Sequence, residues 1–161
     1  MNSQVSIQFH YIDQRFYFPN RNRLKDFLFF LLKNEGKKLD AINVIFCCDT
    51  YLLSLNQEYL DHDTYTDIIT FELSEPGTPL LADIFISVER VKANANELRV
   101  SFQQELHRVI FHGFLHLCGY TDKDAKAKAI MRKKESDCIL GYFVPRGTAK
   151  TFYHVPRETL Q

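Results

Sequence analysis

Two histidines and an aspartate are spaced in this sequence as the ligands of one metal ion would be. His112, His116 and Asp122 form the pattern H-x-x-x-H-x-x-G-x-x-D, in which Gly119 is the glycine. Residues four apart on a helix share a face and lie about 6 Å apart along its axis, so the two imidazoles can bind one ion. Gly119 permits a sharp turn that brings Asp122 back beneath them. Three protein ligands with an open fourth position are typical of catalytic zinc, so the spacing predicts one zinc ion, or another divalent transition metal ion.

The same spacing resembles that of metzincin peptidases, whose pattern is H-E-x-x-H-x-x-G-x-x-H. Gly113 stands where those enzymes have a glutamate as general base, and Asp122 stands where they have a third histidine. The missing glutamate argues against ordinary peptide hydrolysis. Glycine inside a helix costs about 1 kcal/mol relative to alanine, so Gly113 is expected to serve a purpose. We predict that it leaves room for a substrate or another backbone beside the metal.

Each of these residues also has a simpler interpretation. Two histidines four apart on a helix are often surface residues or hydrogen-bonded core residues. Asp122 could be the N-cap of the following helix, a place for which Thr121 competes. Cys118 lies two residues after His116 and therefore points to the other side of the helix, so we do not expect it to be a ligand.

Four charged residues could support such a site. Arg108, one turn before His112, is predicted to be catalytic with the two histidines by contacting phosphate, although it could instead be solvated. Glu105, a further turn back, could orient a ligand at longer range. Asp67 and Asp83 have apolar neighbours on predicted strands, where a carboxylate needs a partner. One of them could accept the N–H of a ligand imidazole, or both could cap loops and bond to the backbone.

Hydrophobic periodicity and turn residues predict nine elements in the order β-α-β-α-β-β-α-α-α. Ser87 and Ser101 are predicted helix N-caps, Asp49 or Thr50 is a third, and Gly141 is predicted to end the last helix. The predicted strands are 5–12, 42–48, 66–73 and 80–87. The predicted helices are 21–37, 88–98, 102–118 and 123–140, together with the helix that Asp49 or Thr50 caps and that runs to about residue 59.

This order is typical of an α+β fold, with a small mixed sheet of about four strands packed by helices and the histidine pair on a metzincin-like helix. The chain length of 161 residues fits a single domain, which we place at 1–141. Residues 142–161 show no hydrophobic period and include Pro145, Gly147 and Pro156. We predict that they form a C-terminal extension that is loosely packed or disordered.

The composition excludes several classes of protein. No apolar run approaches the roughly 20 residues of a membrane span, and no secretory signal is visible, so we expect a cytoplasmic protein with reduced cysteines. Residues 49–87 have eight acidic and no basic side chains, whereas residues 88–135 have ten basic and six acidic ones. With a net charge of zero, only a local basic face could meet the phosphates of a nucleic acid.

Three segments resemble the signatures of the YbeY endoribonuclease family of rRNA maturation factors. HGFLHLCGYTD, residues 112–122, resembles H-G-x-L-H-L-x-G-Y-D-H. LNQEYL, residues 55–60, followed by TDIITF, residues 66–71, resembles L-N-x-x-Y-R…T-D-V-L-S-F. LADIFIS, residues 81–87, resembles L-G-D-I-x-I-S. The similarity extends over roughly residues 5–140, and the motifs occur in the order in which the family has them.

The resemblance implies a metal-dependent single-strand endoribonuclease that acts in 16S rRNA 3′-end maturation and ribosome quality control. It implies ribosomal RNA and the small ribosomal subunit as partners. By position, His112 and His116 match two of three family metal histidines, and Asp122 replaces the third. Leu60 replaces an arginine to which RNA binding or catalysis is ascribed, and Ala82 replaces a glycine.

Two other functions fit the same residues. One is another zinc metallohydrolase, such as a peptidase, which Gly113 argues against. The other is a non-catalytic, metal-stabilised protein that binds the ribosome, which Leu60 favours. The sequence leaves open whether water or the ribose 2′-OH attacks phosphorus, and it leaves the oligomeric state open.

Overall fold

The fold consists of one four-stranded sheet and five helices. A computed structural model describes residues 4–144 of the chain. In that part the elements, in chain order, are β1 (Ser6–Tyr11), α1 (Arg21–Asn34), β2 (Leu39–Cys47), α2 (Asp49–Leu60), β3 (Ile68–Glu72), β4 (Leu80–Ser87), α3 (Val88–Leu98), α4 (Phe102–Leu117) and α5 (Ala125–Phe143). The predicted α+β class and the predicted order of elements are both confirmed.

The sheet is mixed, as predicted, and its strands lie in the order β1-β2-β4-β3. β1 pairs in parallel with β2, to which it is connected by the crossover helix α1. β2 pairs in parallel with β4, to which it is connected through α2 and β3. β3 pairs antiparallel with β4, with Ile69 opposite Phe85. The predicted hairpin is therefore correct, and it places β3 at the edge of the sheet.

Helix α4 lies at the centre of the molecule. Its apolar side chains are buried along most of its surface, including Leu106, Ile110 and Phe114, which are fully buried. It contacts the sheet through β3 and β4 and packs against both α3 and α5. Because so much of α4 is covered, His112 and His116 remain only partly buried on the one side that faces a cavity.

Two of the three predicted helix N-caps, Ser87 and Ser101, are present in the structure. The Ser87 and Ser101 side chains accept hydrogen bonds from the backbone N–H groups of Arg90 and Gln104, each at 3.1 Å, as predicted. The predicted cap of α2 was wrong, since Asp49 is the first helical residue and follows the N-cap Cys48. The Asp49 carboxylate accepts from the Ser87 hydroxyl at 3.1 Å and from the Arg90 guanidinium at 2.6 Å, which fixes α2 to the start of α3.

Some element boundaries also differ from prediction. α1 ends at Asn34 instead of residue 37, because Gly36 takes a φ of 72° that a helix cannot continue through. β2 begins at Leu39 instead of residue 42, since Leu39 pairs with Leu80 across the sheet. β3 is shorter than predicted and begins at Ile68.

The last helix differs most from prediction. α5 starts at Ala125, where the Asp124 side chain caps it by accepting from the Ala127 N–H at 2.8 Å. It continues through Gly141 to Phe143, so the predicted end at Gly141 was wrong. The cause is burial of Tyr142, which is 3% exposed and packs on the aromatic rings around it. The remainder of the predicted C-terminal extension, residues 145–161, lies outside the described residues.

His107 joins this end of α5 to α4. It is 3% exposed, its ring stacks on Tyr142 at 5.0 Å, and its Nδ1 donates to the Gln103 carbonyl. Burial lowers the pKa of His107, only partly offset by the bond to Gln103. As pH falls below the unfolded-state pKa of about 6.5, the unfolded chain takes up this proton before the folded one. His107 therefore contributes stability above about pH 6.5 that is lost as pH falls towards its folded pKa.

We expect His107→Phe to reduce the pH dependence of stability while retaining the aromatic packing. Urea unfolding at pH 7.5 and pH 5.0 should show a smaller loss of unfolding free energy on acidification in the variant than in the wild type. His10→Phe is the control, because His10 is an exposed histidine on β1. An equal loss in wild type and His107→Phe would show that His107 does not titrate in this range.

The four cysteines, Cys47, Cys48, Cys118 and Cys138, are free thiols. Burial raises the pKa of Cys47 and of Cys118 to about 12, so these two remain protonated at neutral pH. No helix within residues 4–144 has the length and apolar character needed to cross a membrane.

Candidate metal centre

The two histidines meet on one face of α4. The Nε2 atoms of His112 and His116 are 2.9 Å apart, and the ring centroids are 4.4 Å apart. This is the arrangement that the four-residue spacing predicts when both side chains lean over the same turn of the helix.

A short turn returns the chain to these imidazoles. α4 ends at Leu117, and Gly119 adopts a φ of 101°, a left-handed conformation that favours glycine. The N–H of Tyr120 then donates to the Leu115 carbonyl at 3.1 Å and closes the turn. As a result, Asp122 Oδ2 lies 3.6 Å from His112 Nε2 and 3.8 Å from His116 Nε2.

The hydrogen bonds of the imidazoles fix which ring nitrogen is free. His112 Nδ1 lies 2.5 Å from Glu135 Oε1, and His116 Nδ1 lies 2.9 Å from the Tyr120 carbonyl oxygen. A carbonyl oxygen and an ionised carboxylate can only accept, so both Nδ1 atoms hold the proton and donate. In neutral imidazoles with these tautomers, both Nε2 lone pairs point towards each other and towards Asp122.

This geometry fits a bound cation. When both imidazoles are neutral, their Nε2 lone pairs face each other across 2.9 Å and, together with a carboxylate oxygen, form a concentrated negative potential. Ligands of a tetrahedral zinc ion lie roughly 3.3 Å apart when each bond is about 2.0–2.1 Å. The three donor atoms of His112, His116 and Asp122 lie within 4.8 Å of one another, close to one face of such a tetrahedron.

The charge state of the ligands suits metal binding as well. Burial, followed by the influence of His112, lowers the pKa of His116, so its imidazole is neutral at pH 7. Neutral imidazole is the form that binds metals. Although burial acts in the opposite direction, the hydrogen bond to His112 and the charge of Arg108 lower the pKa of Glu135, which stays ionised as an acceptor.

Behind His112, Arg108 contacts three carboxylates. Its guanidinium binds Glu105 through Nε at 2.9 Å and through Nη2 at 2.5 Å, and it binds Glu135 through Nη1 at 3.1 Å. Its Nη2 is also 3.8 Å from Asp67 Oδ2. Arg108 is therefore ion-paired while 30% of its side chain stays exposed, and the contact predicted with phosphate remains a prediction that these ion pairs do not favour.

The other predicted supporting residues have different partners from those expected. Glu105 binds Arg108 and contacts neither histidine. Asp67 accepts from Asn94 Nδ2 at 3.1 Å, and Asp83 accepts from Asn43 Nδ2 at 3.1 Å. The carboxylate that accepts the ligand imidazole N–H is instead Glu135 on α5.

Sequence reasoning missed Glu135, although a signal was present. The buried residues of α5 are Met131, Glu135, Cys138 and Tyr142, which follow the three-four spacing of one helix face. A glutamate on an otherwise apolar face needs a specific partner, because burying an unpaired charge is costly. That mismatch marks Glu135 as a residue that binds another side chain.

Gly113 has another role than the one predicted. A Cβ at this position would lie 2.8 Å from Ile68 Cδ1 and 3.3 Å from two atoms of Ile84. The glycine therefore lets α4 approach the side chains of β3 and β4 closely, and it leaves no room for a substrate. The predicted space beside the metal is wrong because residue 113 faces the sheet while its neighbour His112 faces the cavity.

The ligands lie in a cavity of about 550 Å³. Its walls come from the C-terminal end of α2, the loop 61–67 and the edge strand β3. Asn56, which is 5% exposed, holds that loop through two hydrogen bonds. Its side-chain amide donates to the Thr64 carbonyl at 2.8 Å, and its backbone carbonyl accepts from the His62 N–H at 3.2 Å. Among the described residues that line the cavity there is no lysine or arginine.

Comparison with known proteins identifies the family of this chain. The family model described as Endoribonuclease YbeY matches residues 12–142. The chain belongs to this family. An Endoribonuclease YbeY of Flavobacterium johnsoniae is 45% identical over 138 residues, which cover 86% of this chain and 98% of that protein. One of Flavobacterium psychrophilum is 49% identical over 107 residues, which cover 66% of this chain and 76% of that protein.

A solved structure shares the fold of this chain. The solution structure of a Thermotoga maritima protein is 26% identical, with a TM-score of 0.54, and the match covers 84% of this chain and 87% of that one. Leu60 stands where the YbeY signature implies an arginine. It is 44% exposed and lines the cavity, so this chain has a leucine in the cavity wall at that position. Ala82 is fully buried in β4, where its small side chain is accommodated.

Proposed function

We propose that this chain is a zinc-dependent endoribonuclease that acts on single-stranded segments of ribosomal RNA in the cytoplasm, in 16S rRNA 3′-end maturation and ribosome quality control. The observation that supports the proposal most is the convergence of two Nε2 atoms and one carboxylate oxygen within a cavity, in a chain of the YbeY family. Two imidazole ligands and one carboxylate suit zinc, although they also suit other divalent transition metals.

Each residue of the site has a defined task in this proposal. A divalent ion bound there supplies Lewis acidity to a phosphoryl oxygen of the RNA. His112, His116 and Asp122 hold that ion at one end of the cavity. Asn56 holds the loop whose polar side chains form the opposite wall. Exposed His62 is the lining imidazole outside the ligand set among the described residues, and its ring nitrogens can hydrogen-bond to a bound substrate.

The test is cleavage of a single-stranded RNA taken from the 3′ end of precursor 16S rRNA by the purified full chain. We expect cleavage with zinc, loss of cleavage in EDTA, and recovery when zinc is restored. A 2′-deoxy substitution at the cleaved nucleotide distinguishes the two attacking groups: persistence of cleavage indicates water, and its loss indicates the 2′-OH. Cleavage at full rate in EDTA would contradict the proposal.

A second candidate function is a metal-stabilised protein that binds the ribosome without cleaving RNA. It is favoured by Leu60 and by the absence of lysine and arginine from the described lining of the cavity. Co-sedimentation of the zinc-loaded chain with small ribosomal subunits, without cleavage of any precursor RNA, would support this alternative.

We expect Leu60→Arg to strengthen RNA binding and cleavage. Leu60 is 44% exposed at the cavity wall, so an arginine there can reach a phosphate without displacing buried groups. A charge-assisted hydrogen bond of about 1.5–3 kcal/mol corresponds to roughly a 10- to 100-fold gain in kcat/KM. The plot of log binding constant against log salt should also steepen by roughly 0.7 for one added phosphate contact.

Leu98→Arg is the matched control, because Leu98 is an exposed leucine at the end of α3 that does not line the cavity. It adds the same charge elsewhere on the surface. Equal gains in both variants would attribute the effect to net charge and not to the cavity wall.

A further inference from the structure

We propose that Arg108 and Glu135 are positioning residues for the metal ligand His112, and that Arg108 does not bind RNA phosphate. This inference rests on the metal site of the proposed function. In this inference Arg108 binds other side chains of the protein. Its position one turn before His112 would instead suggest a contact with the substrate.

The carboxylate of Glu135 is divided between two partners. Oε1 accepts from His112 Nδ1 at 2.5 Å, and Oε2 accepts from Arg108 Nη1 at 3.1 Å. With one oxygen held on each side, the carboxylate plane cannot rotate without losing a bond. The Glu135 side chain is 7% exposed, so water cannot replace either partner freely.

The orientation of His112 follows from this bond. Metal-bound histidines generally donate their second ring N–H to a carboxylate or carbonyl, which fixes both the tautomer and the ring plane. Glu135 therefore holds Nε2 of His112 in the direction of His116 Nε2, 2.9 Å away. Without Glu135, the ring can turn about its side-chain bonds, and the donor atoms diverge.

Arg108 holds Glu135 in turn. Nε and Nη2 of the guanidinium bind Glu105, whose side chain is only 1% exposed, and Nη1 binds Glu135. Arginine provides five N–H donors in a rigid plane, and this plane is fixed by two carboxylates and approached by Asp67 at 3.8 Å. A phosphate would have to displace buried carboxylates to bind the same edges.

The network also reaches the cavity wall. Asp67 lines the cavity, accepts from Asn94 on α3 at 3.1 Å, and accepts through its backbone carbonyl from the Ser87 N–H at 2.9 Å. Arg108 on α4 therefore binds Glu105 on the same helix and Glu135 on α5, and it lies near Asp67 in the segment before β3.

The test measures zinc affinity of the full chain by competition with a chromogenic chelator, together with the visible spectrum of the cobalt-substituted protein. Loss of an outer partner of a metal ligand typically weakens binding roughly 10- to 100-fold, and we expect this loss in Glu135→Ala. Glu135→Gln retains an acceptor oxygen and should lose less. Arg108→Lys cannot bind Glu105 and Glu135 in the same plane and should also weaken binding, with an altered cobalt spectrum in each case.

Asp137→Ala is the matched control, because Asp137 lies on the same helix and binds Lys133 at 3.1 Å. Urea unfolding of the metal-free proteins separates positioning from simple folding, since a purely structural role lowers stability without changing the affinity of the folded chain. If Glu135→Ala does not fold, Glu135→Gln and Arg108→Lys still decide the matter.

Wild-type zinc affinity and an unchanged cobalt spectrum in Glu135→Gln, Glu135→Ala and Arg108→Lys would overturn the inference. So would a slope of log binding constant against log salt that falls by roughly 0.7 in Arg108→Gln, which removes the charge, with unchanged zinc affinity, because that result indicates a phosphate contact. A wild-type chain that binds no zinc would overturn both this inference and the proposed metal dependence. Wild-type binding with unaffected variants overturns the inference alone.

Discussion

His116→Ala should lower RNA cleavage by roughly a thousand-fold and reduce bound zinc to well below one ion per chain. A metal ion supplies several kcal/mol of charge stabilisation in such reactions, and loss of one of three ligands removes most of it. Metal analysis and single-turnover cleavage of the purified variant provide the two measurements. Full cleavage at wild-type metal content would exclude His116 from the site.

His116 is a better choice for this test than His112. The Nδ1 of His116 bonds to a backbone carbonyl, which remains close to solvent when the side chain is removed. Removing His112 instead leaves Glu135, 7% exposed, without one of its two partners and therefore reduces stability as well. His10→Ala controls for the loss of any histidine, because His10 lies on β1 and bonds to Asn43 away from the ligands.

Asp122→Ala should weaken zinc binding by more than the roughly 10- to 100-fold that loss of an outer partner costs, because it removes a ligand itself. Asp122→His should keep zinc bound, since an imidazole at this place can supply the third donor atom. Isothermal calorimetry with zinc on the three proteins gives the comparison. Unchanged affinity in Asp122→Ala would mean that Asp122 is not a ligand.

Asp124→Ala is the control that separates ligand from cap. Asp124 caps α5 by accepting from the Ala127 N–H at 2.8 Å, so its loss should cost about 1 kcal/mol of stability and leave zinc affinity unchanged. The alternative interpretation of Asp122 as N-cap of this helix was wrong in the structure, and the two variants should behave in opposite ways.

The convergence of the three candidate ligands is the part of the site that could be predicted from sequence. His112 and His116 are related by helix geometry alone, and Gly119 makes the turn to Asp122 a local event with a recognisable residue pattern. The hairpin and both serine caps are local in the same sense. Patterns of this kind depend on residues a few positions apart, and the sequence displays them directly.

The supporting groups could not be predicted in the same way. Glu135 lies 23 residues after His112 and meets it only because α5 packs against α4. Gly113 faces Ile68 and Ile84, which belong to strands far away in the chain. The extension of α5 past Gly141 follows from burial of Tyr142 among distant aromatic side chains, a gain that outweighs the low helix propensity of glycine. These features depend on tertiary packing, which periodicity within one segment does not contain.

Because the site is divided between α4 and α5, its metal affinity should depend on how tightly these two helices pack. All three ligands belong to α4 and its turn, whereas the group that orients His112 belongs to α5. By linkage, whatever separates α5 from α4 should weaken metal binding at the proposed site, and a bound ion would hold α5 in place by the same free energy. A substitution at buried Met131 or Cys138 on α5 should therefore alter metal affinity at the proposed site, and a bound ion would stabilise a helix that provides none of its ligands.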